Sequence, residues 1–241
     1  MRHVEKHYDT PAVVAHKAEL IRQQLDEESL CEPGTRSGKT GAQLYDIVRD
    51  MPTLQALKEQ MYAEQGGVCC YCGMKLEYPY DPQYRVEHVH PKERYRELVG
   101  EYKNLLLSCR ATKEETDIRA KKPKDERKEY IHCDEAKGSK EITYSPLYKT
   151  CEKVFKYTLD GEVLYNDDDA WKDITILGLN GAYLKRRRKA AIDALVLGGN
   201  VLNDDDLRAF QAGLLSRNAD GKFAEFYFVI ADAINEFFPT L

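Results

Sequence analysis

The chain has 241 residues, 42% of them hydrophobic, and a formal net charge of −5. That length and apolar content suffice for a packed core in one large domain or two small ones. No run approaches the roughly eighteen apolar residues of a membrane span, and the charged start MRHVEKHYD lacks the apolar stretch of a signal peptide. We therefore expect a cytoplasmic globular protein, and the negative charge argues against one that coats nucleic acid by bulk attraction.

The sequence pattern of residues 1–65 predicts helices separated by a loop. Residues 11–29 have apolar residues at helical spacing, with Pro11 at a favourable first-turn position. The loop CEPGTRSGKTG that follows does not match a phosphate-binding loop, because its glycines are one residue too close together and no apolar strand precedes it. Residues 41–65 predict two short helices parted at Met51-Pro52, since a proline disfavours helix in the residue before it.

Cysteines and aromatic residues mark residues 66–146 as the candidate chemical module. Cys69 and Cys72 form a C-x-x-C pair followed by a glycine, a knuckle in which two thiolates can reach one ion. A redox pair would need a βαβ setting, which the sequence does not show. Tetrahedral zinc needs two further ligands, for which Cys109 and Cys133 are the obvious donors. The alternative is that these two are buried structural thiols.

Residues 86–92, VEHVHPK, bring a glutamate, two histidines and a proline together in a chain with six histidines in all. Glu87 offers oxygen to a divalent ion, and the pKa of a histidine such as His88 suits a general base. Along a strand His88 and His90 would point to the same face and approach one substrate. A lone histidine is more often a hydrogen-bonded structural residue, so the functional interpretation depends on the neighbours of this cluster.

The secondary structure of the remaining segments is predicted from the spacing of their apolar, charged and turn-forming residues. The charged insert at 110–132 is typical of a solvated helix or loop, whose Lys and Arg residues could contact phosphates. VFKYTLDGEVLYN has a two-residue hairpin signal at Asp160-Gly161, and ITILGLN predicts a strand or turn. Helices are predicted at 181–197, 204–216 and 222–238. The first carries the run KRRRK, either a solvated surface or a contact for nucleic acid or an acidic partner.

The order of these motifs resembles that of HNH endonucleases. The resemblance is carried by the C-x-x-C pair, by EHVHP, by YKNLLLSC and by HCDEAKG, and it covers about residues 66–140. It implies a ββα-metal finger. We therefore expect an α+β protein in which this finger and its zinc knuckle, at 66–146, are embedded in a mainly helical chain. Residues 1–65 would be a helical region that docks a partner, and residues 147–241 a hairpin with further helices.

The resemblance also implies roles for single residues. His88 would be the general base, and Glu87 and Asp134 would bind Mg²⁺ or Mn²⁺. Asn104 would pin the loop that carries His88 or, as in some relatives, ligate the metal. The implied substrate contacts are His90, His132 and Lys137, and the implied structural zinc ligands are Cys69, Cys72, Cys109 and Cys133.

The chain departs from the HNH pattern at three places. Glu87 stands where aspartate is more usual, and the charged insert splits the second cysteine knuckle. The third motif position falls on Asp134 rather than on His or Asn, with His132 two residues earlier as the alternative.

A closer resemblance extends over nearly the whole chain. MRHVEK, EHVHPK, YKNLLLSC, HCDEAKG and WKDITILGLNGAYLKRRRKA look like the HNH subunit of Septu and Septu-like retron antiphage systems (PtuB). This resemblance implies an ABC-type ATPase partner (PtuA-like), a substrate of DNA or of RNA such as tRNA, and in retron systems a reverse transcriptase with its RNA–DNA.

A second hypothesis is a zinc-stapled module that recruits nucleic acid or a partner without cutting. The adjacent Glu87 and His88 favour the nuclease, because a pure zinc ribbon has no need of an acid and a base beside its knuckles. The ambiguous third ligand, Asp134 or His132, favours the binding module.

Overall fold

The computed structural model describes residues 1–31, 38–77, 84–196 and 204–237. The helices are α1 (Ala12–Ser29), α2 (Gly41–Tyr45), α3 (Met51–Gln65), α4 (Lys113–Lys121), α5 (Cys133–Lys137), α6 (Cys151–Val154), α7 (Asp168–Ile176), α8 (Ala182–Val196), α9 (Asp204–Leu214) and α10 (Tyr227–Phe237). The strands are β1 (Tyr84–His88), β2 (Leu105–Cys109), β3 (Phe155–Tyr157) and β4 (Val163–Tyr165). β1 pairs antiparallel with β2, and β3 with β4. The expected mixture of helices with small sheets is confirmed.

The N-terminal helices begin at residues whose backbone or side chain suits a helix start. Pro11 occupies the N-cap position of α1. The predicted break between the two helices lies before Met51-Pro52, between Tyr45 and Met51. Asp50 accepts a hydrogen bond from Thr53 N at 3.0 Å and caps α3. Met51-Pro52 therefore opens α3 instead of parting two helices. Of the predicted loop before α2, residues 32–37 lie outside the described residues.

The C-terminal region contains the predicted hairpin with a longer connection. Thr158 N donates to Glu162 O at 3.0 Å, so three residues close the turn rather than two, and Gly161 supplies a φ of +76°. The strand or turn predicted for ITILGLN is wrong at its start, since residues 174–176 end α7. Asp167 caps that helix by accepting from Ala170 N at 2.8 Å.

One contiguous cluster of buried side chains joins the three predicted segments. Leu57 of α3, Leu106 of β2 and Ile230 of α10 all belong to it. α10 begins at Tyr227, later than predicted, directly after Phe226 with its φ of +56°. Within the described ranges, no helix combines the length and apolar character needed to cross a membrane.

Candidate metal centre and adjoining cavity

β1, β2 and α5 form a small unit that brings distant parts of the chain together. In the antiparallel register His88 lies opposite Leu105, and Tyr84 lies opposite Cys109. α5 packs against β2 and begins at Cys133. The end of β2 therefore meets the start of α5, although a charged insert separates their cysteines in sequence.

Cys69, Cys72, Cys109 and Cys133 converge on one point, with their sulfur atoms all within 4.8 Å of one another. The Sγ atoms of Cys69 and Cys133 are 3.8 Å apart, and those of Cys72 and Cys109 are 3.7 Å apart. A zinc ion with bonds of about 2.3 Å to four tetrahedral sulfurs sets the sulfurs about 3.8 Å apart. All four thiols are buried. The predicted cysteine group is confirmed, and it could hold a metal such as zinc.

The backbone of the first knuckle is shaped to present its thiols. Gly73 has a φ of +81°, a region that favours glycine. The N–H of Met74 donates to Cys72 Sγ at 3.4 Å, and the N–H of Cys109 donates to Cys69 Sγ at 3.3 Å. Hydrogen bonds of this kind favour the thiolate, which is the form that binds a metal.

His132 lies against the cysteines and not in the cavity described below. Its Nδ1 is 3.3 Å from Cys133 Sγ and 3.6 Å from Cys109 Sγ. Its Nε2 is 2.9 Å from Oε1 of Glu115, and both side chains are buried. The ring also stacks parallel to Tyr183 at 6.1 Å. His132 is thus enclosed, and the substrate contact that the resemblance implied has no geometric support.

A cavity of about 110 Å³ lies between β1, α5 and the segment that follows β1. Its lining includes Glu87, His88 and Asp134, together with Tyr45. The fold therefore brings Asp134 to the same space as the consecutive residues Glu87 and His88, although it is distant from them in sequence.

Glu87 is buried and already has a cationic partner. Its Oε1 accepts from the Tyr71 hydroxyl at 2.7 Å and lies 2.8 Å from Lys137 Nζ. Burial raises the pKa of Glu87 to about 8; the charge of Lys137 opposes the rise, and the neighbouring Asp134 adds to it. Lys137 is itself 1% exposed and also donates to His88 O at 3.0 Å. It therefore braces β1 from inside the protein, and the implied substrate contact has no geometric support.

Asp134, on α5, is the second carboxylate of the cavity. Its Oδ2 lies 3.1 Å from Nη1 of Arg85, and its backbone N–H donates to Ser108 Oγ at 3.2 Å. Arg85 and Glu87 share a face of β1 because they are two residues apart. Each carboxylate thus has one cation, Lys137 for Glu87 and Arg85 for Asp134, and the four formal charges cancel.

The imidazole of His88 is held from two sides. Its Nε2 is 3.1 Å from Val99 O, and its ring meets Tyr45 edge to face at 4.8 Å. A carbonyl only accepts, so Nε2 carries the proton and Nδ1 has the lone pair of the neutral ring. Burial lowers the pKa of His88 to about 4, which keeps the ring neutral at neutral pH.

The Asn104 side chain fixes the loop that follows β1. Its Oδ1 accepts from His90 N at 2.8 Å, and its Nδ2 donates to His90 O at 3.1 Å and to Leu98 O at 3.3 Å. Both ends of the amide are thus bonded to backbone. This arrangement suits the loop-pinning role and leaves the metal-ligating role without geometric support.

His90 does not share the position of His88. β1 ends at His88, so the alternation of a strand does not extend to His90, and the expected common face is wrong. The His90 ring packs on Tyr95 at 5.1 Å outside the cavity lining.

The basic run at 185–189 has an intrachain partner for every side chain. Arg188 is 1% exposed and donates to Gly161 O at 2.7 Å and to Leu179 O at 2.6 Å. The remaining pairs are Lys185 with Glu162, Arg186 with Glu114, Arg187 with Glu225 and Lys189 with Asp193. These contacts favour a structural role for the run over a nucleic-acid contact.

Sequence reasoning missed several residues of the two sites. Arg85 could have been found, since it stands two positions before Glu87 in the predicted strand. Tyr45, Tyr71 and Glu115 carry no local signal, because each reaches its partner through folding of segments distant in sequence.

Comparison with known proteins adds no relative. No protein-family model matches the chain, and no curated protein matches its sequence.

Proposed function

We propose that the protein is a metal-dependent endonuclease that hydrolyses phosphodiester bonds of nucleic acid. The observation that carries the proposal is the lining of one cavity by Glu87, His88 and Asp134. Cleavage of a phosphodiester by water needs a base and oxygen ligands for a divalent ion, and this trio supplies both. The resemblance to HNH endonucleases supports the same reaction, with β1, β2 and α5 as the ββα-metal finger.

Zinc fits the four-cysteine group. Sulfur spacings of 3.7 and 3.8 Å agree with a tetrahedral set, and four thiolates with no open position are typical of a structural site. In this role Cys109 and Cys133 tie β2 to α5, which also carries Asp134.

Mg²⁺ or Mn²⁺ fits Glu87 and Asp134, because hard divalent ions prefer carboxylate oxygens. The proximity of Asp134 contributes to the raised pKa of Glu87, as expected for two carboxylates that share a site. When bound, the ion would polarise the phosphate and stabilise the leaving oxygen.

His88 accepts the proton of the attacking water at Nδ1. The Nε2–H bond to Val99 O fixes the tautomer and the ring plane, and Tyr45 limits rotation of the ring from the other side. Asn104 holds the backbone that continues from His88. A positioned base of this kind typically contributes about 10²–10⁴-fold to a rate.

We further propose that the chain is the effector subunit of a cytoplasmic antiphage complex with an ABC-type ATPase. The support is the resemblance to the Septu HNH subunit, since much of the chain lies outside the finger. Co-expression with the neighbouring ATPase followed by size-exclusion chromatography should give one stable complex. Separate elution at micromolar concentration would count against a constitutive assembly.

The second candidate is a zinc-stapled binding module that does not cut. The ion pairs of Lys137 with Glu87 and of Arg85 with Asp134 favour it, because they satisfy both carboxylates without a divalent ion.

A cleavage assay separates the two candidates. Purified protein, alone and with the co-expressed ATPase, is incubated with plasmid DNA, single-stranded DNA and tRNA in Mg²⁺, in Mn²⁺ and without an added divalent ion. The nuclease predicts cleavage of at least one substrate that needs the divalent ion and is lost in His88→Ala. Binding without cleavage in every condition would support the module instead.

A further inference from the structure

A groove of about 700 Å³ lies beside α5, lined also by β4, α7 and the turn after α7. It exposes two large aromatic side chains, Tyr165 and Trp171, each 50% accessible. Neither ring packs on another aromatic ring in the part of the chain that the structure describes. Half-exposed, unstacked rings in a concave surface offer flat apolar faces to a ligand.

The groove adjoins the candidate active cavity. Asp134, Gly138 and Ser139 line the cavity, while Ala136 and Lys140 of the same stretch line the groove. α5 has five residues and is only about 7.5 Å long at 1.5 Å per residue. Residues 138–140 at its end are exposed, and a Cβ at Gly138 would meet nothing within 4 Å. The two spaces therefore lie on either side of α5 and come closest at the exposed residues 138–140.

The charged side chains of the groove favour an anion. Lys128 and Lys140 are exposed, and neither has an ion-pair partner among the described residues. Of the two acids in the lining, Glu162 is paired with Lys185 at 3.5 Å, which leaves Glu129. Two lysines without an ion pair thus stand beside one glutamate without an ion pair.

We propose that the groove binds an unpaired stretch of nucleic acid next to the bond that is cut. Trp171 and Tyr165 stack on bases, and Lys140 and Lys128 contact the phosphates that lead to the cavity. Aromatic stacking combined with lysine contacts is the general means of holding single strands, whereas a duplex hides the faces of its bases. The inference rests on the proposed nuclease function and specifies its substrate as single-stranded at the site.

The closeness of groove and cavity favours nucleic acid over a peptide. Neighbouring residues of the stretch 134–140 line both spaces, so a strand bound at Glu87 and Asp134 would need to cross only the exposed residues 138–140 to reach the groove. A peptide in the groove would have no such reason to lie beside the cavity.

The chain offers its own reporter, because Trp171 is its single tryptophan. The full-length, zinc-loaded protein is titrated without Mg²⁺ or Mn²⁺ with a short oligo(dT), with oligo(rU) and with a duplex of equal length, and tryptophan fluorescence is followed. Saturable quenching by the single strands and not by the duplex is expected. Omission of Mg²⁺ and Mn²⁺ prevents cleavage while the structural zinc stays in place, so the result does not depend on activity.

Variants then test the assignment by anisotropy of a labelled oligonucleotide. Trp171→Ala should weaken binding about fivefold or more, since stacking of one base contributes at least that factor. Lys140→Ala should weaken binding and lower the slope of log affinity against log salt by about 1. The matched control is Lys149→Ala, because Lys149 is an exposed lysine outside the groove. This variant should leave the affinity and the salt dependence unchanged.

The outcomes distinguish failure of the proposed groove from failure of the proposed nuclease function. Metal-dependent cleavage by a protein whose Trp171 is not quenched by any oligonucleotide would overturn the groove and leave the nuclease standing. Quenching by the purified partner ATPase in place of oligonucleotides would likewise overturn it and mark the groove as a protein interface. Specific quenching by single strands in a protein that never cuts supports the groove and removes the nuclease.

Discussion

Two adjacent residues of α5, Cys133 and Asp134, belong to sites of opposite character. Cys133 completes a group of four buried thiols. Asp134 lines a cavity of about 110 Å³ together with Glu87, and each of these two carboxylates has a cation. The first site supplies every ligand itself, and the second keeps free space. This difference agrees with a structural metal site beside the proposed catalytic one.

The comparison also shows why the two sites depend on metal to different degrees. Without an ion, the four buried thiols of this small unit have only weak hydrogen bonds to one another, so folding and metal binding are coupled. Glu87 and Asp134 are neutralised by Lys137 and Arg85 in any case. We therefore expect loss of zinc to unfold the β1–β2–α5 unit and loss of Mg²⁺ or Mn²⁺ to leave the fold intact.

Loss of a zinc ligand should have the largest effect. Cys133→Ser should lower the zinc content from about one ion per chain and abolish cleavage. The free energy of unfolding should fall by about 4 kcal/mol or more, because binding of structural zinc is part of the folding energy. The melting temperature would then drop by on the order of 10 °C. Cys31→Ser, outside the group, is the control, and equal zinc content in both variants would refute the site.

Replacement of the proposed base comes next. His88→Ala should reduce cleavage about 10²–10⁴-fold while zinc content stays close to that of the parent protein, because the imidazole acts on water. The melting temperature should fall by on the order of 5 °C, because loss of the buried ring leaves Val99 O without its partner. His90→Ala should have a much smaller effect, since its ring packs on Tyr95 outside the cavity. Nearly full cleavage by a folded His88→Ala protein would falsify the proposed mechanism.

The four-cysteine site could be predicted because its chemistry is visible in residue type alone. Thiols placed around a knuckle have few other uses, and Cys109 and Cys133 needed only to be brought together by the fold. Helical spacing of apolar residues allowed α1, α8 and α9 to be predicted. It did not show where α3 begins, because Asp50 overrides the expected break at Met51-Pro52.

Polar partners that are remote in sequence could not be predicted. Lys137 was expected to contact substrate, whereas the packing of α5 on β2 places it beside Glu87 inside the protein. The run KRRRK could be read as a solvated surface or as a contact for nucleic acid or an acidic partner. Its partners, such as Glu225 for Arg187 and the carbonyl of Gly161 for Arg188, lie elsewhere in the chain. The surroundings of His132 could not be predicted for the same reason, since its partner Glu115, which holds the ring beside the thiols, is remote in sequence.

Substitution of Asp134 and of His132 should distinguish the two sites that they flank. Asp134→Asn should lower cleavage about a hundredfold with zinc retained, as expected when a ligand of a catalytic ion is lost. His132→Gln should instead weaken zinc binding about 10–100-fold, the usual effect of changing a partner of metal ligands. Zinc release to a chromogenic chelator and cleavage are measured on the same samples. Fast zinc release from Asp134→Asn but not from His132→Gln would reverse the assignment.

The smallest expected effect is on Mn²⁺ affinity, when a cation beside the cavity is removed. Arg85→Gln removes a charge 3.1 Å from Asp134. Repulsion between that charge and a divalent ion about 5 Å away amounts to roughly 1–2 kcal/mol in a water-like medium. Mn²⁺ should therefore bind the variant about tenfold more tightly at low salt. Calorimetry in the absence of nucleic acid measures this, with zinc already in place. Arg85 is 44% exposed in its side chain, so the substitution should leave the fold intact.

Arg22→Gln is the matched control, because Arg22 pairs with Glu19 and Glu101 away from the cavity lining and should leave Mn²⁺ affinity unchanged. Lys137→Met removes the other cation but also leaves Glu87 buried without its partner, which typically costs about 3–5 kcal/mol. It should therefore show tighter Mn²⁺ binding together with a lower melting temperature, restored by the ion. If Arg85→Gln and Lys137→Met both bind Mn²⁺ no better than the parent protein, the two carboxylates do not form an ion site, and the cavity belongs to the binding module.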